Sequence, residues 1–126
     1  MQNLTYSPIG VVEAPLSEPM RPEIHRAHAS RLVLEDRFAP AVAVLETGQY
    51  LWVIYHLHRI ESWEDDLMPT LFARRIPRRP NPIGITLVQV VACEETTITV
   101  SGLDAINGTP ILDIKPYRPL LDTPGG

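Results

Sequence analysis

Hydrophobic and polar residues alternate along much of this chain with a period of two, and the alternation marks out short strands. The clearest run is YLWVIYHLHR (50–59), with Trp52, Ile54, His56 and His58 on one face and Val53, Tyr55 and Leu57 on the other. IGITLVQVVAC (83–93), the pair Glu94-Glu95 and TTITVSGL (96–103) read as a hairpin. YSPIGVVEA (6–14) opens with a turn and becomes β-branched, and RLVLED (31–36) is short and extended. Asn107-Gly108 is the strongest turn signal, because both residues tolerate positive φ. It joins LDAI to TPILDIKPY (109–117). APAVAVLE (39–46) predicts a short helix closed by Gly48, and the tail LLDTPGG reads as frayed. There is no internal repeat, and the long amphipathic helices of a doubly wound α/β fold are missing. Short strands joined by proline- and glycine-marked turns predict an all-β fold, a barrel or sandwich, forming a single domain over 1–126.

Composition narrows the class. A hydrophobic fraction of 44% fits a globular protein, and a formal net charge of −4 does not advertise a nucleic-acid binder. The distribution of charge says more: Lys115 is the sole lysine beside ten arginines. Cys93 is the only cysteine, which excludes an intrachain disulfide and a cysteine-based zinc site. Following LVQVVA, it reads as a small core residue. The N-terminus lacks a basic-then-apolar leader and no apolar run approaches membrane-spanning length, so the expected location is cytoplasmic.

Three constellations could carry chemistry. RRIPRRPNPIG (74–84) packs four arginines and three prolines into eleven positions. Its prolines lack backbone donors and restrict the residues before them, which makes a stiff loop. Its cations either pair with the acidic run Glu61, Glu64, Asp65 and Asp66, or await an anionic partner suited to the guanidinium fork. In DIKPY, strand geometry sends Leu112 and Ile114 to the core and sets Asp113, Lys115 and Tyr117 on the other face. Pro116 ends the pairing or marks an edge. That trio is either an intrastrand ion pair with a tyrosine anchor or a catalytic group. His56 and His58 form an H-x-H pair, but a metal would need a third ligand, and His25 and His28 lie in a proline-rich stretch with no clear placement. Polar contacts to a ligand are the alternative. No G-x-G and no G-x-S-x-G is present, so neither a dinucleotide fingerprint nor a hydrolase elbow is available.

FARRIPRRPNPIGITLV (72–88) followed by SGLDAINGTPILDIKPYRP (101–119) closely resembles the TsaA-like, or tRNA methyltransferase O, family. The resemblance is dense over 72–119 and looser over LWVIYHLHR (51–59) and IGVVEAP (9–15). It implies a compact β-barrel acting as a homodimer; from the residues themselves, neither a metal nor a membrane is expected. That barrel would bind S-adenosylmethionine and methylate the exocyclic nitrogen of a threonylcarbamoylated adenosine beside the tRNA anticodon. The cofactor-binding positions it implies are His58, Arg59, Arg75, Ile85, and the turn Asp104, Ala105, Ile106 and Asn107. Members carry P-R-Q where this chain has EPMRPEIH, which includes Arg21.

A sulfonium methyl is already electrophilic, so the enzyme needs in-line positioning, a proton acceptor and exclusion of water. From strand geometry, Asp113 is the candidate acceptor or orienting group, Tyr117 the candidate base-stacking partner, and Lys115 completes the catalytic trio. Arg74, Arg78, Arg79 and Asn81 form the candidate substrate-binding set. Arg74 and Arg78 are the natural phosphate contacts, and Arg79 is expected to brace the loop. A non-catalytic module that binds an adenosine-like ligand or RNA is the reading from a different class.

Overall fold

A computed structural model describes residues 1–17, 22–59 and 63–125. Arg21 and Glu61, and the side chains of Pro22 and His25, lie outside the described residues. Six strands are present: β1 (Gly10–Glu13), β2 (Ser30–Leu34), β3 (Tyr50–His56), β4 (Ile83–Glu94), β5 (Thr97–Ser101) and β6 (Pro110–Pro116). They form a closed antiparallel barrel in the order β1-β2-β5-β4-β3-β6, with β6 returning to β1. Short helical pieces interrupt the connections: α1 (Pro22–Arg26), α2 (Ala39–Val42) and α3 (Pro119–Asp122), with 3-10 turns at Asp36–Phe38 and Asp65–Thr70. The all-β expectation is met as a barrel, and closure leaves no unpaired sheet edge to protect.

Alternation builds the core. Leu51, Val53 and Tyr55 of β3 face inward, as do Val88 and Val90 of β4, and they meet Leu32, Ile98, Val100, Val12 and Ile111. Trp52, Ile54 and His56 stand on the outer face of β3, as the sequence pattern predicts. Opposite them across the β3–β4 pairing are Leu87, Ile85 and Ile83.

Several expectations need correction. Leu112 is not in the core; Ile111 is, at 0% exposure. The register of β6 against β3 shifts between Ile54/Tyr55, with Tyr55 opposite Ile111 and Ile54 opposite Asp113. Leu112 is therefore the extra residue of a β-bulge, and Ile111 and Ile114 reach the inside despite an odd spacing. Cys93 is exposed. A second register shift between Val90/Ala92 breaks the β4 alternation, and from Val91 to Glu94 the strand is exposed. LDAI is irregular, because Leu103, Ala105 and Ile106 are all buried, a pattern that period two cannot supply. The expected turn at Asn107-Gly108 is present, with Gly108 supplying its positive φ of 86°.

The helix predicted over 39–46 is also shorter than its pattern, and Gly48 follows it with a φ of 90°. The tail is not loose at Asp122. Its carboxylate accepts hydrogen bonds from the Arg118 amide at 2.8 Å and the Trp52 indole at 3.0 Å. Those two donors hold the Asp122 carboxyl below its ordinary pKa.

The bulge is directly testable. Ile111→Ala is expected to lower the unfolding free energy by about 2–5 kcal/mol, and Leu112→Ala by less than about 1 kcal/mol. Urea titrations of the two variants check this, and equal losses would contradict the assigned faces.

Candidate functional site

A cleft of about 830 Å³ opens where the arginine loop, the end of β3, the start of β4 and the 104–106 segment converge. Leu57, His58 and Arg59 reach it because β3 ends at His56 and the chain turns immediately after. Gly84, Ile85 and Thr86 enter from β4, and Asp104, Ala105 and Ile106 from the irregular segment beyond β5. Arg74, Arg75 and Arg79 form the loop side, and Phe72 is 94% exposed at its rim.

The loop is held from within by one of its own cations. Arg79 donates Nη1 to the carbonyls of Arg74 at 2.9 Å and Ile76 at 3.2 Å, and Nη2 to that of Leu71 at 2.9 Å. A guanidinium has five donors in a rigid fork, so one side chain can tie three turns of backbone. Prolines had already removed the alternative main-chain donors. Arg79 is thus a brace, as expected, although it also borders the cleft. Arg78 makes an ion pair with Glu64 at 3.4 Å, so the acidic run neutralises part of the cluster. Among the described residues, Arg74 and Arg75 have no hydrogen-bond or ion-pair partner for their side chains. They are the cations left to meet an anion.

The 104–106 segment is fastened at several points. Arg26 donates Nε to the Gly102 carbonyl at 3.1 Å, and Thr109 donates its hydroxyl to the Ile106 carbonyl at 2.7 Å. Between them, the Tyr55 hydroxyl donates to the Asp104 carbonyl at 2.7 Å and lies 2.7 Å from the Thr86 hydroxyl. Burial, reinforced by the Asp104 charge, raises the Tyr55 pKa against the opposing pull of Thr86 and Arg75. The phenol stays protonated and remains a donor. His58 stands beside the turn that closes the segment, since a Cβ on Gly108 would lie 3.7 Å from its Nε2. Partial burial, then the nearby His56 and Arg59, pull the His58 pKa below its ordinary value, leaving the ring neutral at pH 7. Arg59 donates to the Ser17 carbonyl at 2.8 Å, tying the segment after β1 to the same corner.

Other predicted residues lie elsewhere. Asn107 does not line the cleft; its Oδ1 accepts from the Ala14 amide at 3.0 Å, a structural bond between turn and strand end. Asn81 is exposed, and its carbonyl accepts from the Ile83 amide at 2.8 Å. Asp113 and Lys115 pair with one another at 3.0 Å on the outer face of β6, opposite Ile54 and Trp52. Tyr117 packs edge-on against Tyr50, with ring centroids 6.5 Å apart, and its hydroxyl is 3.3 Å from that of Thr123. None of this trio lines the cleft. Among the described residues, no three or more His, Cys, Asp or Glu side chains gather to hold a metal ion.

Sequence reasoning passed over Tyr55, Thr86, Arg26, Trp52 and Phe72, all of which border or brace the cleft. Gly84 was the available signal. A Cβ there would lie 2.4 Å from the Tyr55 ring, so the glycine of N-P-I-G exists to admit that ring.

Six antiparallel strands closed into a barrel, with a cation-rimmed cleft at one corner, define the class. Residues 12–123 match the tRNA-methyltransferase O N-terminal domain, and the chain belongs to that family. A probable S-adenosyl-L-methionine-binding protein of Methanothermobacter thermautotrophicus is 34% identical, over 94% of this chain and 93% of that one. The tRNA (adenine(37)-N6)-methyltransferase of Escherichia coli is 31% identical, over 98% of this chain but 61% of its own length. A crystal structure of TrmO superposes with a TM-score of 0.81 at 32% identity, covering 98% of this chain and 59% of that one. This chain thus spans about three-fifths of the enzyme and of the solved structure.

Removing the brace should separate structure from binding. Arg79→Ala is expected to cost about 2 kcal/mol of stability, because three carbonyls lose a charged donor. Arg74→Ala should cost less than about 0.5 kcal/mol. Thermal unfolding of both variants, read side by side, is the check.

Proposed function

We propose that this chain is an S-adenosylmethionine-dependent methyltransferase that acts on tRNA, at the exocyclic nitrogen of the threonylcarbamoylated adenosine beside the anticodon. It would work in the cytoplasm as a homodimer. One observation carries the reading: all the cofactor positions implied by the resemblance except Asn107 line a single cleft, although they come from separate segments. Family membership and the relatives named as tRNA methyltransferases support it.

The residues present fit the cofactor. The Arg75 guanidinium suits its carboxylate and the Asp104 side chain its cationic groups. Leu57, Ala105 and Ile106 offer an apolar wall for the adenine. When bound, S-adenosylmethionine supplies a methyl already activated for transfer. The protein's part is to orient the amine in line and to remove its proton. The neutral His58 imidazole can take that proton at a ring nitrogen. Arg74, unpartnered at the cleft rim, meets a backbone phosphate, and exposed Phe72 offers a ring on which an unstacked base can lie.

Assembly follows from the outer face of β3 and β4. Ile83 and Ile85 are 49% and 46% exposed, and with Trp52, Ile54 and Leu87 they form an apolar strip that runs into the cleft, which all but Ile54 line. A second copy covering that strip would bring one protomer's Asp113 and Lys115 toward the other's cleft, which retains a role for the trio. No helix among the described residues is long and apolar enough to cross a membrane.

A second reading, a module that binds S-adenosylmethionine without transferring its methyl group, is supported by two relatives named as S-adenosyl-L-methionine-binding proteins, 34% and 30% identical to this chain. Calorimetry and nucleoside mass spectrometry from a deletion strain separate the two. The enzyme reading expects cofactor binding, at least a tenfold loss of affinity in Arg75→Ala or Asp104→Ala, and the disappearance of one methylated adenosine. Binding with unchanged nucleosides selects the module. No binding at millimolar cofactor removes both. Light scattering tests the assembly: a 14.1 kDa particle at micromolar concentration would contradict the dimer.

A further inference from the structure

Among the described residues, Tyr55 connects β3, β4 and the 104–106 segment through hydrogen bonds at a single atom. Its hydroxyl has one proton, and that proton goes to the Asp104 carbonyl at 2.7 Å. The contact with Thr86, also 2.7 Å, therefore has Thr86 as donor. The order runs from Thr86 to Tyr55 to the Asp104 carbonyl. The ring is 3% exposed and lies over Gly84, where a Cβ would approach it to 2.4 Å. Both the position of the ring and the direction of its proton are thereby fixed.

The consequence falls on one peptide plane. In a trans peptide the carbonyl of one residue and the amide of the next point in opposite directions. Holding the Asp104 carbonyl toward Tyr55 turns the Ala105 N–H away from it. Among the described residues, the main-chain amides of Ala105 and Ile106 have no acceptor. Both residues border the cleft and are buried, at 7% and 9% exposure. Buried amides without partners are uncommon unless a ligand or water supplies the acceptor. The surrounding fastenings, from Arg26 to Gly102 and from Thr109 to Ile106, fix the ends of the segment, and the Tyr55 hydroxyl holds the carbonyl between them.

We propose that Tyr55 is a positioning residue for the ligand site: its hydroxyl sets the orientation of the 104–105 peptide and so aims the Ala105 amide, beside that of Ile106, at hydrogen-bond acceptors of the bound molecule. Under the proposed function those acceptors belong to the adenosine portion of S-adenosylmethionine, and this extension rests on that reading. Arg75 and Asp104 supply charge, whereas Tyr55 supplies geometry without touching the ligand's reacting atoms.

Tyr55→Phe keeps the ring over Gly84 and deletes only the hydroxyl. Backbone NMR of the ligand-free protein should show the Ala105 amide resonance displaced by more than its line width, with the resonances of β2 and β5 unchanged. Calorimetry with S-adenosylmethionine should show about tenfold weaker binding. Gly84→Ala displaces the same ring by another route and should reproduce both effects. Val42→Ala, which destabilises the core beside α2, should change neither. A merely structural Tyr55 would lower the melting temperature while leaving affinity and the Ala105 amide resonance as in the parent, and that result overturns the proposal. If the parent protein fails to bind the cofactor, the functional reading falls, but the Ala105 resonance still decides whether Tyr55 positions that amide.

Discussion

β3 is hydrogen-bonded along both edges, to β4 on one side and β6 on the other, and the rest of the molecule is arranged around that constraint. A strand without a free edge cannot slip by one residue without turning every side chain to the wrong face in two ladders at once. Its inner face supplies Leu51, Val53 and Tyr55 to the core, and its outer face carries Trp52 and Ile54. Where its pairing stops, at His56, the chain delivers Leu57, His58 and Arg59 to the cleft. Core, outer strip and ligand site are three consequences of one register.

The irregular segments around the cleft share a way of being held. Each is fixed by a side chain that donates to, or accepts from, main-chain atoms: Arg79 on the arginine loop, Tyr55 and Arg26 on the segment beyond β5, Arg59 and Asn107 on the stretch after β1. Loops without ladder bonds must satisfy their carbonyls and amides somehow, and these side chains do it. The result is a site whose walls are ordered before a ligand arrives, so that less ordering entropy is lost on binding.

What could be read from the sequence divides along the same lines. The faces of β3 and the β4–β5 hairpin were legible, because regular alternation encodes them directly. So was the bracing role of Arg79, since a loop with three prolines lacks donors of its own. The bulge at Leu112 was not legible: apolar residues at 111, 112 and 114 fit two phases equally, and only pairing with β3 decides between them. Cys93 was misplaced for a related reason, because the second irregularity, at Val91, ends the alternation that would have buried it. Tyr55 reads as one more strand aromatic until the residue opposite it is known to be Gly84. The DIKPY trio was placed on the correct outer face, but sequence alone gave no measure of its distance from the cleft.

The bulge on β6 also bears on how this barrel tolerates changes of length. Ile111 and Ile114 are three positions apart and both turn inward, which is possible only because one residue between them is left out of the ladder. Loss of Leu112 would leave an unbroken in–out sequence from Ile111 through Asp113 to Ile114, with each side chain keeping its present face. Loss of Asp113 would leave the same count, with Leu112 in its place, whereas loss of a residue elsewhere between Ile111 and Lys115 would put one part of the strand out of step with β3. The bulge is therefore the place where this strand can lose one residue and still close the barrel.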